Sequence, residues 1–289
     1  MELKGTFTAM VTPFNRDLSL DEGRLRALVE EQVAAGIDGI VPVGTTGESP
    51  TLSFEEHFKV VEIAVDAAAG RLRVIAGTGG NSTDEAIELT RHAQSIGADA
   101  SLQVCPYYNK PSQEGLYRHY AMLADLGLPV VLYNVPGRTG REIAIATVAR
   151  LASHPNVVAI KEAAGDANRV SEIHAVCDLT VISGDDSLTI PMMSVGARGV
   201  ISVASNVIPR EVVEMVRFAL ADDFVAARAA HRRLFPLFRD LFIDTNPVPI
   251  KAAMAMRGLI EETYRLPLCE LSDAARQKLT ATMQRLGLL

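Results

Sequence analysis

The 289-residue sequence has no tryptophan and only three cysteines. The small number of cysteines limits the metal and redox sites that the protein could form. Cys105, Cys177 and Cys269 lie far apart and form no C-x-x-C pair, so neither a zinc cage nor a redox motif is indicated. The histidines form no H-x-x-x-H pair, which gives a catalytic metal little support. We therefore expect neither a metal nor any other cofactor.

The sequence also lacks a basic excess and long apolar runs. Its formal net charge of −7 argues against general affinity for nucleic acid or anionic membranes, because such binding requires basic patches. No segment approaches the roughly 18 uninterrupted apolar residues of a membrane-spanning helix. No apolar signal region precedes the first strand-like segment. Together with the unpaired cysteines, these features predict a cytoplasmic protein that acts on small molecules and binds neither membranes nor nucleic acid.

What the sequence does contain is an alternation of short apolar runs with longer amphipathic segments. The strand-like runs are residues 7–11, 39–43, 73–77, 101–105, 130–134, 157–161, 180–183 and 199–203. The helical patterns are residues 20–35, 54–69, 83–96, 113–126, 143–152, 168–177, 188–195 and 209–220. Strict alternation implies parallel strands joined by right-handed crossovers. Eight such units predict an α/β fold, a TIM (β/α)₈ barrel.

The alternation ends near residue 221. Residues 222–242, 249–259 and 272–286 are helical patterns without strands between them. We expect a kink at Pro236 and a boundary at Asn246-Pro247, because a proline disfavours helix in the residue before it. The sequence thus predicts a barrel with the active site at residues 1–221 and a C-terminal α-helical appendage at residues 222–289. Whether the appendage caps the barrel or supplies an oligomer surface stays open.

Lys161 stands at the end of the sixth strand-like run. Val157–Ile160 are consecutive apolar residues, as is typical of a strand buried on both faces in a parallel sheet. In a barrel, the carboxyl ends of the strands face the ligand. An amine among low-dielectric neighbours can lose its proton and act as a nucleophile. The ordinary alternative is a lysine that reaches solvent and pairs with Glu162.

Other polar residues follow neighbouring strands. Thr45 and Thr46, framed by glycines, could bind a carboxylate or relay protons. Tyr108 and Tyr133 could transfer protons, and Arg138 could bind a carboxylate through two parallel hydrogen bonds. Each could instead be a turn cap, a core aromatic or a solvated arginine. Their common location at one barrel rim with a lysine predicts imine chemistry on a keto acid, which needs no metal.

Asp185 and Asp186 follow the seventh strand, where many barrels bind phosphate. Two adjacent carboxylates would repel a phosphate, so phosphorylated substrates are disfavoured. No further carboxylates with convincing spacing suggest a Mg²⁺ site. We expect these residues to cap the helix that follows them.

Six motifs occur in order over essentially the whole chain. They are G-T-T-G-E (44–48), P-Y-Y-N-K-P (106–111), Y-N-V-P-G-R-T-G (133–140), I-K-E-A (160–163), S-G-D-D (183–186) and N-P-V-P-I-K (246–251). With them, the sequence resembles the 4-hydroxy-tetrahydrodipicolinate synthase family, formerly called dihydrodipicolinate synthases, of the pyruvate-dependent aldolase superfamily. The resemblance implies a lyase that condenses pyruvate with L-aspartate-4-semialdehyde, the first committed step of lysine and diaminopimelate biosynthesis. It also implies a homotetramer built as a dimer of dimers.

The resemblance also implies catalytic roles. Pyruvate would form an imine with Lys161, and Tyr133 would be the central acid–base phenol. Thr46 would link Tyr133 to Tyr108 as a proton relay. In the family, that last tyrosine comes from a neighbouring subunit.

Substrate-binding positions of the family can be matched in the same way. Thr45 and Thr46 would hold the pyruvate carboxylate, and Arg138 would receive the semialdehyde carboxylate. Gly184 and Ile201 match backbone contacts near the lysine.

Lysine-inhibited members of the family bind that end product between subunits. The matching positions are Ser49, His57, Asn81, Glu85 and Tyr107. Two residues depart from the sensitive pattern, since Phe54 stands where histidine is frequent and Pro50 where many members have alanine. We expect weak or absent inhibition by lysine, because a phenyl ring cannot replace the lost polar contact. A submillimolar inhibition constant would contradict this expectation.

Three alternatives stay open. The protein could be another pyruvate-dependent aldolase such as N-acetylneuraminate lyase, although sialic acid lyases look different around Arg138. It could also be a keto-acid dehydratase of the same superfamily. A non-catalytic keto-acid sensor is the third reading, but it would not need Thr46, Tyr108 and Tyr133 together.

Overall fold

Eight parallel strands close into a barrel in the computed structural model, which describes residues 2–289. The strands are β1 (Gly5–Ala9), β2 (Gly39–Val41), β3 (Arg73–Gly77), β4 (Ala100–Val104), β5 (Val130–Asn134), β6 (Val157–Glu162), β7 (Thr180–Ser183) and β8 (Gly199–Ser202). Each strand pairs with the next, and β8 pairs with β1 to complete the circle. The predicted TIM barrel is confirmed. Met1, which the predicted range 1–221 included, lies outside the described residues.

The strand bounds follow the apolar runs closely. β3, β5 and β7 have the predicted bounds, and the other strands differ by one or two residues at an end. The largest shift is in β1, which begins at Gly5 rather than at Phe7.

Helices separate the strands as expected. They are α1 (Glu22–Ala35), α2 (Phe54–Ala68), α3 (Thr83–Ser95), α4 (Gln113–Ala124), α5 (Pro136–Thr139), α6 (Ile145–Ala152), α7 (Asn168–His174), α8 (Thr189–Met193) and α9 (Pro209–Leu220). Side-chain caps begin four of them, where Asp21, Ser53, Ser82 and Ser112 accept hydrogen bonds from backbone N–H groups in the first turn. Ser53 and Glu56 form a reciprocal capping box.

Four short segments after strand ends were not predicted. They are α5 and the 3₁₀ turns Ser49–Thr51, Asp186–Leu188 and Ala204–Asn206. Segments of three or four residues are too short to show a helical period in the sequence. All four lie at the carboxyl end of the barrel, where they shape the loops around the site.

Side chains of the strands divide between two apolar layers. Those that point inward, such as Phe7, Val131 and Ile182, fill the barrel, and those that point outward pack against the helices. Along β6, Ala159 belongs to the inner layer and Ile160 to the outer one. This alternation places the side chain of Lys161 on the inner face.

After α9 the chain continues as α10 (Phe224–Asp240), α11 (Val248–Met256) and α12 (Asp273–Arg285), with no strand described between residues 222 and 289. α10 contains Pro236 and packs against α9 and α12. Leu234 and Leu237 share one apolar core with the helices of the barrel. Between residues 2 and 289, no helix has the length and apolar character needed to cross a membrane.

Candidate active site

Lys161 lies at the base of the barrel mouth, next to an aromatic ring. It is 6% exposed, and its Nζ lies 4.3 Å from the centroid of the Tyr133 ring. The two residues are direct partners in the register between β5 and β6. The amine is therefore held beside a phenol in a largely dehydrated position, where a cation–π contact can form.

Gly184 leaves the space that the lysine side chain needs. A Cβ atom at this position would lie 3.0 Å from Lys161 Cε and 2.6 Å from Ala163 Cβ. The Gly184 N–H donates to the carbonyl of Glu162 at 2.8 Å, which fixes the turn after β7 against β6. Ile201, on β8, is buried in the inner layer of the barrel. The structure thus brings Gly184 to Lys161 and Ile201 into the same barrel interior.

The two threonines after β2 have different environments. Thr46 is buried, and its Oγ1 accepts a hydrogen bond from Asn246 Nδ2 at 2.9 Å. Thr45 is half-buried and lines the pocket described next. Only Thr45 therefore faces the pocket directly, whereas the hydroxyl of Thr46 is held by a neighbour.

A pocket of about 240 Å³ opens at the carboxyl end of β2–β5. Thr45, Tyr133 and Arg138 line it, and Leu102 and Val135 contribute apolar walls. This volume is slightly below the about 300 Å³ at which drug-sized ligand sites begin. The pocket therefore suits a small, partly polar molecule.

Arg138 lies on α5 at the pocket rim. Its Nη2 donates to the backbone oxygen of Asn246 at 3.1 Å, the one hydrogen bond described for this side chain within residues 2–289. A guanidinium has further N–H donors in a planar fork. The rest of the fork is thus free for an anionic ligand.

The described residues 2–289 contain no group of three or more His, Cys, Asp or Glu side chains that could hold a metal ion.

Comparisons with known proteins identify the family. The model of the dihydrodipicolinate synthetase family matches residues 2–286. The chain belongs to this family.

Relatives in the family match along their whole lengths. The 4-hydroxy-tetrahydrodipicolinate synthase of Pelobacter propionicus is 53% identical over 99% of both chains. The crystal structure of dihydrodipicolinate synthase from Aquifex aeolicus is 50% identical with a TM-score of 0.97, again over 99% of both chains. A chloride-inhibited dihydrodipicolinate synthase from Acinetobacter baumannii, solved in complex with pyruvate, is 44% identical over the whole of both chains, with a TM-score of 0.97.

Asp186 does not have the role expected from the sequence. Its buried carboxylate accepts hydrogen bonds from Ser202 Oγ and from the backbone N–H groups of Val203 and Ala204. It therefore caps the 3₁₀ turn after β8, not the helix that follows it. Asp185 makes no side-chain cap either. The expectation was wrong because closure of the barrel brings the loops after β7 and β8 together.

Tyr108 is not brought to Thr46 within this chain. Its side chain is 90% exposed, its backbone is left-handed with φ 70°, and no hydrogen bond to Thr46 is described within residues 2–289. A relay through Tyr108 of the same chain is thus not formed. The position suits a residue that acts on another subunit, and that role stays a prediction.

Three of the positions matched to lysine inhibition line the pocket or contact a residue that lines it. Ser49 and Tyr107 line the pocket itself. His57 Nε2 lies 2.8 Å from the carbonyl of Gly77, a lining residue, and burial lowers the pKa of His57 to about 4.

The other two matched positions lie farther out. Glu85 is exposed, and its charge adds to the burial that raises the pKa of Tyr107. Asn81 accepts a hydrogen bond from Asn109 through its backbone oxygen at 2.7 Å. Whether these five residues bind lysine stays a prediction.

The interpretation of the sequence missed Asn246, Glu48 and Lys251. Lys251 Nζ donates to Glu48 Oε1 at 2.5 Å, and both side chains are fully buried. Burial lowers the pKa of Lys251, while Glu48 opposes this shift. All three residues lie in motifs that carried the resemblance, but Asn246 was taken only as a boundary. Nothing in the spacing shows that residues about 200 positions apart in the chain meet at the site.

Proposed function

We propose that the protein is a lyase that condenses pyruvate with L-aspartate-4-semialdehyde to give 4-hydroxy-tetrahydrodipicolinate. This is the first committed step of lysine and diaminopimelate biosynthesis. The observation that carries the proposal is the buried Lys161 amine, 4.3 Å from the centre of the ring of Tyr133, which lines the pocket. The names of the full-length relatives and the pyruvate complex of one of them support the choice of substrates.

The first half-reaction forms an imine. The amine of Lys161 attacks the keto carbon of pyruvate, and the oxygen leaves as water after it has been protonated. The protonated imine withdraws electrons, so the methyl group loses a proton to give an enamine. Tyr133 is the phenol nearest to the amine and is assigned these proton transfers, with Thr46 as the next group of the relay.

The second half-reaction joins the two substrates. The enamine carbon attacks the aldehyde carbon, and the new alkoxide takes up a proton. The amino group of the semialdehyde then attacks the imine carbon, closes the ring and displaces the amine of Lys161. No net oxidation occurs, and one water leaves in imine formation.

Polar groups at the carboxyl end of the barrel are assigned the binding roles. The hydroxyls of Thr45 and Thr46 and the backbone around Gly184 and Ile201 are assigned to pyruvate. The free part of the Arg138 guanidinium is assigned to the semialdehyde carboxylate, because a planar fork matches a carboxylate in two parallel hydrogen bonds.

We also propose how the protein assembles and where in the cell it acts. The exposed Tyr108 completes the relay from a second copy of the chain, and we assign a cytoplasmic homotetramer built as a dimer of dimers. Residues 2–221 form the catalytic barrel, and residues 222–289 a helical appendage that holds the barrel mouth through Asn246 and Lys251. A mass measurement in solution tests the assembly, and a monomer with full activity would contradict it.

Borohydride reduction in the presence of pyruvate tests the imine. Peptide mass mapping should find the reduced adduct on Lys161 and none on Lys251, a second buried lysine that serves as an internal control. Lys161→Ala should abolish the label. An unlabelled wild-type protein, or a label on Lys251, would overturn the mechanism. Product formation from aspartate semialdehyde rather than from N-acetylmannosamine then identifies the reaction.

Arg138→Ala separates the two half-reactions. It should impair use of the semialdehyde strongly while borohydride trapping with pyruvate continues, because the guanidinium is assigned to the second substrate. Equal loss in both steps would mean that Arg138 shapes the whole site.

A further inference from the structure

Asn246 connects two residues of the site from outside the barrel. It lies in the segment between α10 and α11 and is 6% exposed. Its side-chain Nδ2 donates to Thr46 Oγ1 at 2.9 Å, and its backbone oxygen accepts from Arg138 Nη2 at 3.1 Å. One residue thus contacts both the relay hydroxyl and the carboxylate-binding guanidinium.

The direction of the hydrogen bond to Thr46 has a chemical consequence. A threonine hydroxyl has one proton to donate and two lone pairs that accept. Because the amide N–H of Asn246 occupies one lone pair, it leaves the Thr46 proton and the other lone pair for the site. A hydroxyl in this state can still give one proton and receive another, as a relay requires.

The opposite amide orientation would have the reverse effect. The Asn246 carbonyl oxygen would accept the Thr46 proton and withdraw it from the site. Within residues 2–289, Oδ1 is buried without a hydrogen-bond partner in the observed orientation. Reversal would place both N–H donors at that partnerless position, so it would gain no hydrogen bond there.

A second contact holds the loop after β2 against the C-terminal helices. Glu48 follows Thr46 by two positions, and its buried ion pair with Lys251 anchors the β2 loop to the first turns of α11. The buried Glu48–Lys251 ion pair therefore helps to keep the segment that carries Asn246 next to Thr46.

We propose that Asn246 is a positioning residue that keeps the Thr46 proton available for transfer in the site. The inference rests on the proposed function, because it assigns a direction to the proton relay of that reaction.

Asn246→Asp tests the direction with little change in shape. An ionised carboxylate only accepts, so it takes the Thr46 proton, and kcat should fall by about a hundredfold or more at pH 8, within the range for lost proton transfer. A protonated carboxylic acid donates again, so activity should recover as the pH falls. Asn246→Ala should lower kcat without adding this ionisation to the pH profile.

A matched control is Asn156→Asp. Asn156 is half-buried just before β6, at the other end of the barrel, and donates to the carbonyl of Ala124 at 2.9 Å. This variant should keep the wild-type pH profile. An Asn246→Asp enzyme that matches wild type, or that is equally impaired at every pH, would overturn the inference.

A mutant cycle covers the case in which Asn246→Asp does not fold. If Asn246 acts through Thr46, Asn246→Ala should lower kcat in the wild type but have little further effect in a Thr46→Val background. Additive losses would overturn the inference. Failure of the proposed function is distinguishable, because wild-type protein would then not be trapped by borohydride with pyruvate.

Discussion

Glu48 and Glu162 are both buried carboxylates that adjoin the site, yet their surroundings differ. Glu162 accepts hydrogen bonds from Asn134 Nδ2 at 2.9 and 3.1 Å, from Arg169 Nε at 3.2 Å and from the N–H of Ala164 at 2.9 Å. Within the described residues 2–289, the Glu48 side chain has a single partner, Lys251, and its Oε2 is buried without one.

The difference shows how each half of the site is held. Glu162 ties β6 to β5 directly behind the Lys161–Tyr133 pair, through several donors on different elements. Glu48 ties the β2 loop to α11 through one contact. Loss of one partner should therefore matter less at Glu162 than at Glu48, since an unpaired buried charge is costly.

Lys251→Met should destabilise the protein more than any other change considered for these two carboxylates. It leaves Glu48 buried without a counter-charge, and we expect a loss of about 3–5 kcal/mol in the free energy of unfolding. Urea denaturation measures this loss. The double variant Glu48→Gln/Lys251→Met should recover much of it because the buried charge is gone. A single-variant loss below about 1 kcal/mol would contradict the assignment.

Arg169→Met should cost less. Glu162 keeps Asn134 and the Ala164 N–H, so we expect a loss of about 2–3 kcal/mol, in the range for hydrogen bonds to charged groups. The same denaturation experiment gives the value. A loss equal to that of Lys251→Met would show that the two carboxylates are not held differently.

The free energy of unfolding at acid pH also depends on two buried histidines. Burial lowers the pKa values of His57 and His119 to about 4 from 6.5. Their contribution to stability is therefore present above pH 6.5 and is lost as the pH falls towards 4. At pH 5 each should account for about 2 kcal/mol of loss.

The contribution of Glu162 to stability changes with pH in the opposite sense. Burial raises the pKa of Glu162, so its contribution is present below its ordinary value of 4.5 and is lost as the pH rises through the folded-state pKa. Unfolding of wild type and His119→Gln at pH 7.5 and 5 separates the effects. The variant should lose less stability than wild type between these pH values, and an equal loss would exclude His119 as the source.

Arg118→Ala provides the smallest effect and an exposed reference. Arg118 Nε lies 2.9 Å from Glu114 Oε1 one helical turn away, and both side chains are largely exposed. The change should alter the free energy of unfolding by only about 0.3–0.5 kcal/mol. A loss comparable to that of Arg169→Met would mean that burial does not control the strength of these pairs.

The repeating pattern made the barrel predictable in detail. Eight apolar runs gave the eight strands to within one or two residues, because a strand buried on both faces has to be apolar throughout. Lys161, Tyr133, Thr45 and Arg138 could be placed at one rim, because parallel strands end on the same side. The short turns and the role of Asp186 were not predictable, since they depend on contacts between loops.

The amino-acid pattern thus predicts the fold class, the rim on which the site lies and the family to which the chain belongs. The groups that hold that rim in place become visible only in the folded chain. Asn246, about 200 positions from Thr46 in the chain, donates to its hydroxyl, and Lys251 neutralises Glu48 at a similar separation. Periodicity and motifs report local preferences, whereas such pairs form only when the closed barrel and the C-terminal helices pack together.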